Sequence, residues 1–233
     1  MQPASFEFNS GEILNINKPT GWTSFDLVRT IRNHLRIKKV GHAGTLDPFA
    51  TGVLLILTGK ATKKSLELTG LEKEYLAEIE FGTETDTHDV DGKVIRQCEE
   101  LPGYDEGRIR DCLQEFVGEI EQVPPAYSAI KLKGKPLYKY ARKGIAVELK
   151  PRKVTVKSAR LVDANWPLIK IEVICSKGTY IRSLARDLGT KLGTGAFLRS
   201  LVRTRIGSYQ LKDSYNISDF LKMGEVSTAN EGC

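Results

Sequence analysis

Residues 73–82, KEYLAEIEFG, carry Tyr75, Ala77, Ile79 and Phe81 at every second position. A period of two belongs to an extended, half-buried strand, because successive side chains point to opposite faces. Further strands are expected at 12–16, 53–58, near 93–97, around 123–134, and at 153–162 and 168–175, with a basic strand or pair of strands over 196–209. Helical spacing is found in TSFDLVRTIRNHLR, where Phe25, Val28, Ile31 and Leu35 repeat. It recurs in a short helix after Gly59, in 105–117, in PLYKYARKG, and in SKGTYIRSLARDLGTKLG, which Gly193 ends. Strands outnumber helices and short turns join most of them, which argues for an α+β fold with a mostly antiparallel sheet.

The charge is unevenly placed. Residues 84–121 hold twelve acidic and four basic side chains, whereas 131–153 hold nine basic and one acidic. With Tyr138 and Tyr140 interleaved, the second stretch suits a face turned toward RNA phosphates, tyrosine stacking on bases while its neighbours neutralise the backbone. The other classes are weakly represented. No apolar run approaches a membrane span, and the first residues lack the basic start and apolar core of a secretion signal. Four scattered cysteines with no C-x-x-C pair, and three histidines, offer neither a disulfide framework nor a zinc site. A cytoplasmic setting is expected.

Three motif resemblances fail on spacing. LTGKAT lacks the earlier glycine and the magnesium-binding hydroxyl of a P-loop. THDVDGKVIRQC would be a calcium loop with Thr87 and Cys98 at its two end-ligand positions. Asp47 is followed by Phe49 where an aspartyl-phosphate enzyme would place a second aspartate.

The stretch GHAGTLDPFATG (41–52) then stands out. Asp47 could cap a helix that begins at Pro48, with glycines 41, 44 and 52 serving only as turns. Alternatively, the glycines let backbone approach a ligand while the apolar run VLLIL holds the carboxylate still. A carboxylate is ionised at neutral pH and can act as a nucleophile without a general base.

In its motifs the sequence resembles the bacterial tRNA pseudouridine synthase B family. The likeness runs through NKPTGWTS (17–24), GHAGTLDPFATGVL (41–54), GKATK (59–63) and KEYLAEIEFGTETDTHDVDG (73–92). It continues through VPPAYSAIKLKGKPLYKYARKG (123–144) and CSKGTYIRSLARDLGTKLGTGAFLRSLVRTRIG (175–207). The resemblance implies a mixed sheet flanked by helices with a catalytic cleft across it, and isomerisation of uridine 55 in the TΨC loop without cofactor or metal. A tRNA-folding chaperone acting without catalysis is the alternative.

By the same resemblance Asp47 is the catalytic aspartate, attacking ribose C1′, assisting uracil's departure to leave a glycal-like sugar, or attacking C6 of the base. Arg182 pairs with it. Tyr75 stacks on the flipped base, although core packing would also explain it. His42 fills the vacated space in the RNA, or else satisfies a loop carbonyl. Tyr180 and Leu201 match pocket residues, Lys18 the first motif, and Asp89 the acidic turn beside the site. The stretch 131–144, with Lys131 and Lys133, would lie against the T-arm backbone. Residues 1–210 form the expected catalytic domain, and a monomer with no membrane association and no protein partner is expected. The remaining 211–233 read as a short tail or remnant in place of the family's usual C-terminal RNA-binding domain.

Overall fold

The computed structural model describes residues 7–228 apart from 129, 133, 142 and 146. In chain order the elements are β1 (Ile13–Lys18), α1 (Ser24–His34), β2 (Val40–Ala43), β3 (Thr51–Thr58), a 3-10 turn (Gly59–Lys64), α2 (Ser65–Gly70) and β4 (Lys73–Phe81). Next come β5 (Thr83–Thr85), β6 (Val94–Gln97), α3 (Glu106–Gln114), β7 (Gly118–Gln122), β8 (Lys131–Leu132), β9 (Lys135–Pro136), α4 (Leu137–Ala141), β10 (Arg152–Asn165) and β11 (Leu168–Cys175). The chain finishes with α5 (Ile181–Leu192), β12 (Ala196–Ile206), β13 (Tyr209–Gln210), β14 (Tyr215–Asn216) and α6 (Ile217–Thr228). It divides into two compact units, Met1–Lys73 with Val202–Cys233, and Glu74–Leu201.

In the first unit β3 pairs antiparallel with β1, from Ile13↔Leu57 to Lys18↔Gly52, and with β2, from Val40↔Thr58 to Ala43↔Leu55. It runs parallel to β12 at Val202↔Thr51 and Arg203↔Gly52. Leu54 and Ile56 enter a core built with Leu14, Ile16, Leu27, Val28, Ile31 and Phe220. Val53, Leu55 and Leu57 enter another with Ala43, Leu68 and Ile206. Burial on both faces is why β3 reads as an unbroken apolar run, not an alternation. Helix α1 starts as its sequence suggests: Thr23 and Asp26 form a reciprocal capping box.

In the second unit β4, β11, β10 and β7 lie side by side in that order. The β10–β11 and β10–β7 pairings are antiparallel. Burial along β4 alternates strictly, as expected from its sequence. Helix α5 buries Ile181, Leu184, Ala185 and Leu188, and ends at Gly193 in the left-handed conformation.

The fold is therefore α+β, with a mixed, mostly antiparallel sheet and flanking helices. Several elements differ from the sequence expectation, among them β5 and β7, where no strand was expected. VGHA forms β2, where only a glycine-rich loop was expected. Residues 211–228, expected as a tail, contain a 3-10 turn, β14 and α6, and Phe220 is buried in the first unit's core. Among the described residues no helix is long and apolar enough to cross a membrane.

Candidate active site

The predicted site residues fall in both units: Lys18, His42 and Asp47 in the first, Tyr75, Asp89, Tyr180, Arg182 and Leu201 in the second. Each group is built by its own local architecture.

In the first unit the segment from β2 to β3 is held carbonyl by carbonyl. Ser65 Oγ donates to the His42 carbonyl. The Arg203 guanidinium donates to Gly44 (3.0 Å), Thr45 (3.3 Å) and Val53 (2.7 Å). Ser24 Oγ donates to the Leu46 carbonyl at 3.1 Å and accepts from the Leu46 N–H at 2.9 Å. The Ala50 N–H closes a turn on the Asp47 carbonyl. Pro48 accepts from Gly21 N–H and Lys18 Nζ, and Phe49 from Thr20 Oγ1. No helix begins at Pro48, so Asp47 is not the helix cap that its Asp-Pro dipeptide permitted.

This lattice of bonds explains the glycine at 52. Its φ is +104°, and a Cβ there would lie 2.3 Å from the Arg203 carbonyl oxygen. Only glycine allows β12 to approach so closely that Arg203 can reach back across the loop.

Lys18 and Arg203 are both sealed from solvent. Lys18 Nζ donates to Pro19, Trp22 and Pro48 carbonyls at 2.8, 2.7 and 3.1 Å. Lys18 was expected among the RNA contacts; its three donors are instead committed inside the fold, and it acts as a brace of the loop. Burial, aided by Arg203, brings its pKa down to about 8 against the opposing pull of Asp47. His42 is likewise shifted down by burial and then by Arg203, so it favours the neutral imidazole. Its Nδ1 is buried with no hydrogen-bond partner among the described residues.

In the second unit Arg182, the second residue of α5, is ion-paired with Asp89 at 3.1 Å, the two side chains being 4% and 6% exposed. The guanidinium also donates to the Thr87 carbonyl (3.1 Å) and the Tyr127 carbonyl (2.8 Å). The remaining Asp89 oxygen accepts from Thr87 Oγ1 and the Asp91 N–H. The would-be calcium loop thus directs its central carboxylate at an arginine and its own turn. His88, between these residues, takes φ +61°. Burial, then Arg186 and Arg182, depress its pKa to about 4.

Tyr75 is buried on the inner face of β4 and Leu201 on β12, while Tyr180 caps the start of α5 and is half-buried. Lys131 lies in β8; Lys133 lies outside the described residues. A cationic surface that the sequence reading missed belongs to the first unit. Arg36, Lys38, Lys39, Lys60, Lys63 and Lys64 are all exposed, and the Gly59 N–H···Lys39 carbonyl bond ties their two segments together. Among the described residues none of them forms an ion pair, whereas Lys153, Arg160, Lys170, Lys191 and Arg199 in the second unit each have an acidic partner. The signal was present as two short basic runs, but their adjacency depends on β2.

Comparison with known proteins agrees with this architecture. The family model described as TruB family pseudouridylate synthase (N terminal domain) matches residues 32–181, and the tRNA pseudouridylate synthase B C-terminal domain model matches 182–231. A tRNA pseudouridine synthase B of Protochlamydia amoebophila is 49% identical over 205 residues, covering 88% of this chain and 77% of the relative. Its counterpart in Parabacteroides distasonis is 45% identical over 234 residues, covering 97% and 99%. Among solved structures, a chain of a Cbf5-Nop10-Gar1 complex superposes with a TM-score of 0.75 at 28% identity over 97% of this chain. This chain spans 57% of that one. The chain belongs to the TruB family of pseudouridylate synthases.

Proposed function

We propose that this protein isomerises uridine to pseudouridine in tRNA, at position 55 of the TΨC loop, with Asp47 as the nucleophile. The observation that carries the proposal is the hydrogen-bonded segment from His42 to Phe49, which fixes the backbone of one carboxylate beside two buried cations. Such preorganisation is what a reaction without a bound cofactor requires, because positioning and electrostatics then supply the rate.

The reaction breaks the bond from N1 to C1′, forms one from C5 to C1′, moves the C5 proton to solvent and leaves N1 protonated. Asp47 is regenerated at the end, whether its carboxylate engages C1′ or C6. The target base must first leave the T-loop stack, at a cost of a few kcal/mol. Tyr75 then stacks on it, and neutral His42 occupies the space left behind in the RNA. Arg182, ion-paired with Asp89, takes part as the arginine of the family motif. Residues 1–210 act as the catalytic domain, the cationic surface of the first unit contacts phosphates, and the T-arm of tRNA is the docking site.

The test is release of tritium from tRNA labelled at uridine C5, without added cofactor. The parent protein should release label and Asp47→Asn should not, while tRNA binding is retained. Comparable turnover by Asp47→Asn would remove the nucleophile assignment. Binding and refolding of tRNA with no label release from the parent would favour a chaperone instead.

A further inference from the structure

Gln122, the last residue of β7, is 2% exposed and has a bond pattern that no role so far explains. Its side-chain nitrogen donates to the Tyr180 carbonyl at 3.0 Å, and its side-chain oxygen accepts from the Tyr180 N–H at 2.7 Å. The amide orientation follows from the chemistry, since a backbone N–H can only donate and a carbonyl only accept. Gln122 therefore grips one residue of the second unit by both its backbone groups, across 58 residues of sequence.

That residue is not an arbitrary one. Tyr180 is the N-cap of α5, has no side-chain cap bond, and stands two residues before Arg182. The next residue of the same strand end completes the anchorage: the Val123 carbonyl accepts from Ser183 Oγ at 2.8 Å and from Arg186 at 3.4 Å. The Tyr180 carbonyl also accepts the Leu184 N–H of the first helical turn at 3.1 Å, so Gln122 ties the end of β7 to the residue on which α5 starts, and a helix start is where fraying ordinarily begins.

We propose that Gln122 is a positioning residue for the reaction: by clamping Tyr180 it sets the position of the first turn of α5, and with it the Tyr180 ring and the Arg182 guanidinium. This rests on the proposed function. A misplacement of about 1 Å in a catalytic constellation can lower a rate on the order of 100-fold. A residue that merely filled the core would change stability and leave turnover by the folded protein alone.

Two variants of the full chain separate these cases. Gln122→Ala should lower the single-turnover rate on tRNA on the order of 100-fold, with tRNA affinity within about threefold of the parent. Gln122→Glu keeps the acceptor for the Tyr180 N–H but, when ionised, loses the donor to the Tyr180 carbonyl. Protonation restores an O–H donor, and burial raises the carboxyl pKa, so its rate should climb as pH falls, a limb that the parent lacks. Hydrogen exchange of the free protein should show faster exchange at 179–183 in both variants at pH 8, with Gln122→Glu recovering protection at lower pH.

A Gln122→Ala rate within about threefold of the parent, a loss confined to tRNA affinity, or a Gln122→Glu pH profile matching the parent's would overturn the proposal. Should Gln122→Ala not fold, Gln122→Glu decides by its pH profile. If the parent itself releases no label, the proposed function falls, and exchange at 179–183 decides the clamp on its own.

Discussion

Asp89 and Arg182 meet at 3.1 Å inside the second unit, an ion pair closed to solvent on both sides and supplemented by bonds to Thr87, Asp91 and Tyr127. Removing one partner of such a pair strands the other charge, at a cost of about 3–5 kcal/mol. Asp89→Ala should therefore lower the urea-unfolding free energy by about that amount. Asp89→Ala combined with Arg182→Met should recover part of the stability and none of the activity. An Asp89→Ala protein as stable as the parent would show the pair to be a bystander.

Ser24 satisfies both backbone groups of Leu46, the residue before Asp47. Ser24→Ala leaves a buried N–H and a buried carbonyl without this partner, and each unsatisfied group costs about 1–3 kcal/mol. The expected result is a lower denaturation midpoint together with slower label release at temperatures where the protein is folded. Ser24→Thr, which retains the hydroxyl, should lose less activity.

Gly52→Ala should be among the most damaging single substitutions in the first unit. A Cβ at 2.3 Å from the Arg203 carbonyl cannot be accommodated without moving β12, and the positive φ alone costs more than about 1 kcal/mol. Thermal unfolding and the yield of folded protein measure it.

The acid limb of stability should depend on His88. The unfolded side chain takes a proton near its ordinary 6.5, the folded one only near 4. Between those values the unfolded chain binds more protons, so folded stability declines as pH falls through that window. His88→Asn tolerates the positive φ and has no such proton to bind. Its unfolding free energy should fall less steeply between pH 6.5 and 4, as read by denaturant titration at several pH values.

The exposed cations of the first unit predict the salt dependence. Lys39→Glu with Lys60→Glu should weaken tRNA binding and flatten its dependence on salt, each lost phosphate contact removing about 0.7–0.9 from the logarithmic slope. An unchanged slope would place the RNA elsewhere.

Much of the fold was legible in the sequence because its signals are local. The alternation in β4, the continuous run of β3, the capping box of α1 and the glycine that ends α5 each lie within a dozen residues. Asp47 was legible as a candidate from the glycine-rich loop around it, though its Asp-Pro dipeptide equally permitted a helix cap. The supports of the site were not legible, since each acts at a distance along the chain. Ser24 reaches 22 residues forward, Gln122 reaches 58, and Arg203 reaches back 150 or more. Lys18 matched the first motif and was expected among the RNA contacts, but its buried place under the loop depends on contacts to Trp22 and Pro48. The VGHA segment escaped notice because a four-residue strand with glycine in it leaves no periodicity to read.

Strand β3 is walled in by apolar side chains on both faces, and the segment bearing Asp47 runs directly into it. A strand so placed has no local way to open: its amides should exchange with solvent only when the whole first unit comes apart. The backbone that carries Asp47 into this strand should therefore stay fixed for as long as the first unit is folded.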